Sequence, residues 1–181
     1  MLKKIMIVTL VVLLLAGCAA TTTTKTGLGH SISIEKSKDV SEKDGAPVDG
    51  TAQADTMMAA VTVDANGKVL GIRIDTAQVK IKFNAEGKIT SDKAVAGKTK
   101  VELGMDYGML KASAIGKEWF EQSAAIEAWM VGKTSDQIKN MKTKDSESEG
   151  KVADEADLNG KVSVGIADFL VVAQEAIANA K

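Results

Sequence analysis

The chain begins Met1-Leu2-Lys3-Lys4, runs almost wholly apolar from Ile5 to Leu15, and then reads Ala16-Gly17-Cys18. A positive start, an apolar stretch of about 7–15 residues and a small-residue cleavage site make a secretory signal, whereas a permanent bilayer span takes about 20 apolar residues. After Cys18 the pattern turns small and polar through Thr26, which suits a tether. Alternation from Gly27 to Ile34 predicts a first strand, and the mixed charges, glycines and single proline of residues 35–50 predict a loop.

From Thr51 to Ile89 the period of two predicts a β-meander. Asn66-Gly67 separates two apolar runs and is expected to supply the positive φ angles of a tight hairpin turn. Leu70, Ile72 and Ile74 are expected on one face; in the following run Val79, Ile81 and Phe83 are expected inward, with Lys80 and Lys82 outward. "VDANGKV" and "FNAEGKI" look like one turn device used twice, in which an acidic or amide residue opens the turn, Gly67 or Gly87 permits it and a lysine leads out.

The second half switches to a helical period. Ile115, Trp119, Ile126 and Met130, broadened by Phe120 and Trp129, predict a helix that stops at Gly132. Thr134-Ser135-Asp136-Gln137 is a candidate capping box for a short helix through Ile138 and Met141. Residues 142–157 are charged and predict an exposed loop, and Asp168 is expected to cap a final helix carrying Phe169, Leu170, Val172, Ala173, Ala176 and Ile177. The fold class that follows is α+β, an antiparallel meander covered by two or three helices, in a single domain over residues 27–181.

Composition narrows the chemistry. Cys18 is the only cysteine, so the domain beyond it has no disulfide framework and no thiolate metal site. Leu15-Ala16-Gly17-Cys18 resembles the bacterial lipobox, which implies cleavage before Cys18 and a diacylglycerol on its sulfur. Two acyl chains at ~0.8 kcal/mol per buried CH₂ hold a soluble domain on a membrane where one barely does. The expected organisation is thus a signal peptide at 1–17 and a lipid-anchored tether at 18–26, on the extracytoplasmic face of a bacterial cell membrane. Loss of residues 1–17 removes two lysines and no acid, so 21 basic residues face 24 acidic ones and the formal charge is −3. Such a surface lacks the cationic footprint of a nucleic-acid binder. Aromatic residues number only six, which disfavours stacking platforms for sugars or single strands.

Catalytic signals are missing. His30 is the sole histidine, so a histidine-rich metal site is excluded, and its place in a Gly-rich segment suits a solvated strand-end residue. Asp64, Asp75 and Asp106 lack the spacing of a calcium loop and belong to turns. The dispersed methionines suit filling of a ring-poor core better than copper ligation. No nucleophile and base are nominated together, and the expectation is a protein that is not an enzyme.

The order of these pieces, a lipoprotein signal, a meander with "DANGKVLGIRID", then "ELG", a helix around "EWFEQ" and a last helix behind "DLNGKVSVGIADFLVVAQEAIANA", resembles the FMN-binding domain family of bacterial membrane-associated proteins. The resemblance spans most of residues 51–181. It implies non-covalent FMN as cofactor and a role accessory to surface electron transfer. Gly104, within Glu102-Leu103-Gly104, matches a family Thr-Pro-Gly-type segment, and Val162 to Asp168 matches the segment in which covalent members esterify flavin phosphate to a threonine. Gly165 stands in that threonine's place and has no oxygen to esterify. The resemblance leaves Ser163, Gly165 and neighbouring N–H groups at a helix start as phosphate holders, with Asp168 opposing. The alternative is a flavin-free lipoprotein that binds another envelope protein.

Overall fold

The structure is a computed structural model that describes residues 23–94 and 97–181. Cys18, the signal segment and tether residues 18–22 lie outside the described residues.

Three long strands form the main sheet: β1 (Lys25–Ser33), β4 (Gly50–Val63) and β5 (Val69–Phe83), in the order β1-β4-β5 and antiparallel throughout. β1 starts at Lys25, two residues inside the segment assigned to the tether. Between β1 and β4, β2 (Ser41–Lys43) and β3 (Ala46–Val48) pair as a small hairpin where the composition had suggested only loop.

Asp64 opens the β4–β5 turn and Gly67 permits it, but Asn66 does not take the positive φ expected of it. Asp64 Oδ1 accepts from the N–H groups of Asn66 (2.8 Å) and Lys68 (2.9 Å), and only Gly67 takes a positive φ, +76°. Asn84 and Gly87 repeat the device, with Lys88 N donating to Asn84 Oδ1 at 2.8 Å and Gly87 at φ +75°. The second copy leads only to an isolated Phe83–Ile89 bridge.

A register shift beside Thr62 and Val63 corrects the expected facing of β5. Val63 pairs with Val69 and Thr62 with Gly71, so Leu70 is the extra residue of a bulge: Val69 is fully buried and Leu70 half exposed. Ile72 and Ile74 enter the core as expected. Val79 and Ile81 do not. Their parity is opposite to that of Ile74, so they lie on the outer face and are exposed, while Gln78, Lys80 and Lys82 continue the core face.

The core face is covered by α2 (Trp119–Met130), which packs on β5, and α4 (Ala167–Ala178), which packs on β1 and β4. Trp119 and Phe169 stack with ring centroids 5.6 Å apart, over Ala59, Val61, Ile72 and Ile74. Close approach of α4 depends on two glycines of β1. A Cβ on Gly27 would stand 2.0 Å from Ala176 O, and one on Gly29 2.2 Å from Val172 O. Neither contact leaves room for any side chain.

Short elements complete the domain. α1 (Lys100–Leu103) and α3 (Ser135–Lys139) each begin with a threonine capping box, at Thr99 and Thr134. β6 (Thr143–Ser146) and β7 (Gly150–Ala153) form a hairpin in the segment expected to be loop. Asp168 stands in the first turn of α4, whose N-cap is Ile166. The helix begins at Trp119, so Ile115 lies in the preceding turn segment. No helix of the described residues is long and apolar enough to cross a membrane.

Candidate functional site

Beyond Ile74 the core face changes character. Thr76, Gln78 and Lys80 on β5 lie opposite Met57, Asp55 and Gln53 on β4, so polar side chains occupy positions that are apolar one turn of pleat away. The polar end opens into a cleft of about 450 Å³ lined by Lys36, Gln53, Gln78, Lys80 and Tyr107, among others.

Asp55 organises this cleft. Its Oδ1 accepts from Gln53 Nε2 (2.7 Å) and Gln78 Nε2 (3.2 Å), and its Oδ2 meets Lys36 Nζ at 3.1 Å. Burial pushes the carboxyl pKa up, but the hydrogen bonds from Gln53, Lys36 and Gln78 together hold it below the usual 3.8. The same contact raises Lys36.

Lys100 packs against Tyr107, which lines the cleft. A bridge between Thr99 and Ala77, with Val101 N donating to Asp75 Oδ1 at 3.1 Å, docks α1 on β5. That docking sets Lys100 Nζ 5.0 Å from the ring centroids of both Tyr107 and Trp119. Burial, followed by the positive charges of Lys36 and Lys80, lowers its pKa from 10.5 to about 8, with Asp55 and Glu149 opposing. Burial likewise raises Tyr107. Lys36 and Lys80 thus line the cleft with Glu35, and Lys100 feels both lysines together with Asp55 and Glu149. Beside them Thr76 is buried, and its Oγ1 has no hydrogen-bond partner among the described residues. An uncompensated buried hydroxyl costs about 1–3 kcal/mol.

Glu118, the N-cap of α2, and Gln122 within that helix hold the neighbouring segments. Glu118 is fully buried and accepts from Met109 N (3.0 Å) and Leu110 N (2.8 Å), fixing the loop that follows Tyr107. Gln122, also fully buried, donates to Ser113 Oγ (3.3 Å) and Lys117 O (3.2 Å) and accepts from Ser163 N (2.7 Å) and Val164 N (3.1 Å). One amide therefore ties the loop before α2 to the segment before α4.

The residues singled out in the sequence sit around these segments. Gly104 ends α1 at φ +52°, its N–H donating to Lys100 O and Val101 O. Ser163 N is taken by Gln122, and Gly165 N donates to Glu149 Oε2 at 3.4 Å. A Cβ at Gly165 would lie 2.6 Å from Glu149 O, so glycine is needed there to pass the β6–β7 turn. Lys36, Asp55, Lys80 and Lys100 were not nominated by the sequence. The signal available for Lys80 was the phase slip after Thr76, which carries the lysine onto the phase of Ile72 and Ile74.

The arrangement can hold an anion by charge and hydrogen bonds. His30 lies apart, exposed on β1 with Nδ1 3.7 Å from Glu175 Oε1. Among the described residues no group of three or more His, Cys, Asp or Glu side chains is placed to hold a metal ion. The fold and cleft define the class, an α+β domain with a lysine-lined cleft at one end of its sheet. Comparison with protein-family models, curated proteins and solved structures finds no match to this chain.

Proposed function

We propose that this chain is a non-catalytic binding lipoprotein, tethered through Cys18 to the extracytoplasmic face of a bacterial membrane, whose cleft takes a small phosphate-bearing ligand. FMN is the ligand implied by the family resemblance, and a role accessory to surface electron transfer goes with it. The observation that carries the reading is the lysine lining of the cleft, Lys36 paired with Asp55 and Lys80 beside Tyr107, with Lys100 packed on that tyrosine. Three lysines of the lining, Lys36, Lys38 and Lys80, exceed Glu35 and the adjacent Asp55 by one charge, which leaves net positive charge for an incoming anion. The phosphate is assigned to the lysine cleft rather than to Ser163 and Gly165, whose N–H groups already have acceptors within the protein.

Titration with FMN and with riboflavin, followed by flavin fluorescence, tests the reading. Saturable FMN binding should appear, with riboflavin weaker for want of the phosphate. Lys36→Gln should weaken FMN roughly tenfold or more, the worth of one charge-assisted hydrogen bond. Equal affinity for the two flavins that is indifferent to Lys36, or no binding of either, would overturn it.

A further inference from the structure

The tether meets the domain at Lys25, the first residue of β1, and several segments gather around that point. Lys25 lies opposite Val63 and Val63 opposite Val69; Gly132 N donates to Val69 O (2.8 Å), and Thr26 and Lys181 exchange backbone hydrogen bonds. One end of the sheet thus holds the start of β1, the β4–β5 turn, the residues after α2, and Lys181.

Two rows of the outer face lie here, Thr26–Thr62–Gly71 and Leu28–Ala60–Arg73. They carry no acid, and their one charge, Arg73, is paired with Glu127 at 2.9 Å. A groove of about 1270 Å³ lies over these rows and is lined also by Ala128 and Val131 at the end of α2. Leu28 is 72% exposed, Val131 47%, and the bulge residue Leu70, next to Gly71, 50%. Exposed Lys25 and Lys68 flank this end, and the row His30–Met58–Asp75, with its two titratable ends, bounds it. Asp136, Glu155 and Asp157 line a neighbouring cleft with Lys133, so contact at this end depends on the apolar side chains rather than on net charge.

We infer that this end of the domain rests on the bilayer itself, an inference that builds on the lipid anchor proposed above. Cys18 and Lys25 are seven residues apart, so at ~3.4 Å per residue the chain holds Lys25 within about 24 Å of the lipid. The groove and its exposed leucines and valine are therefore the part of the domain kept at the membrane surface. There Leu28, Leu70 and Val131 gain by entering the acyl boundary, while Arg73, Lys25 and Lys68 keep their charges at the level of the headgroups. Fluid acyl chains fill a groove without the matching side chains that a protein partner must supply. Gln53 is ten residues of β4 away from Val63, about 33 Å, and lies on the opposite face, so the lysine cleft is left open to the outside.

With lipid on the sulfur of Cys18, the only cysteine, one added cysteine is the only free thiol of the full chain. The test labels that thiol with nitrobenzoxadiazole and reconstitutes the lipoprotein in vesicles of phosphatidylethanolamine and phosphatidylglycerol that contain a nitroxide-bearing phospholipid. Labels placed through Leu70→Cys and Val131→Cys should be quenched about threefold or more strongly than one placed through Val171→Cys, on the exposed side of α4. All three positions are exposed in the single chain, so the changes leave its packing intact. A chain that floats with the vesicles while positions 70 and 131 are quenched no more than 171 overturns this inference alone. A chain that does not float with them removes the lipid anchor, and this inference with it.

Discussion

Replacing Lys100 with methionine separates what stabilises this domain from what the cleft is for. In the wild type Lys100 Nζ is held between Tyr107 and Trp119, and its pKa falls from 10.5 to about 8. The unfolded chain therefore keeps this proton to higher pH than the folded one. Below pH 8 both states are protonated, and the cost of burying the charge is felt in full. Between pH 8 and 10.5 the folded state releases the proton first, so the cost fades as pH rises; above 10.5 it is gone. At ~1.36 kcal/mol per pH unit, the gap from 10.5 to about 8 gives about 3 kcal/mol as a ceiling. Loss of the ring contacts, worth ~0.5–2 kcal/mol, offsets part of it. Lys100→Met should thus raise the unfolding free energy at pH 7 by about 1–3 kcal/mol, or Tm by roughly 2–12 °C for a chain of this size. The same change should weaken FMN binding. Urea and thermal unfolding of both proteins at pH 7, 8.5, 9.5 and 10.5 check the sign, because other groups cancel in the difference. A variant less stable than the wild type at pH 7, or an advantage that does not shrink towards pH 10.5, would refute the reasoning.

Three further outcomes follow from the packing and the anchor. Gly29→Ala should destabilise by about 1–3 kcal/mol in urea melts, since its Cβ would press on the backbone of α4 at Val172. Glu118→Ala should cost about 3 kcal/mol by stranding the N–H groups of Met109 and Leu110, and amide exchange should quicken first in that loop. Cys18→Ser should release the protein from the membrane fraction or leave its precursor uncleaved; unchanged processing and retention would remove the lipid anchor.

The elements that local signals dictate were legible in the sequence. Capping at Thr134 needs only residues three apart, and the two Asp/Asn…Gly turns need only a five-residue stretch, so both could be recognised without the tertiary structure. Leu70 shows where local reading ends. A bulge inserts one residue, reverses the facing of everything on one side of it, and leaves no mark in the period-two pattern. Val79 and Ile81 mislead for a related reason: they are apolar and alternate cleanly, but on the outer face of the sheet. The β6–β7 hairpin was hidden by its charged composition, because its strands are short and mostly exposed. The cleft was the least legible part. Lys36, Asp55 and Lys100 come from three segments far apart in the chain, and only the antiparallel register and the docking of α1 bring them together. Glu118 caps α2 and Gln122 lies on its apolar stripe, where their burial serves backbone groups of other segments.

The central claim is that the lysine cleft carries a phosphate-bearing flavin in the mature lipoprotein. An absorbance spectrum of the full chain, purified from its own host membrane and again after incubation with FMN, tests it most directly. The account predicts visible flavin bands in at least the second sample that survive gel filtration and vanish in Lys36→Gln. A spectrum without flavin in both samples, with no FMN-induced rise in Tm, would contradict it.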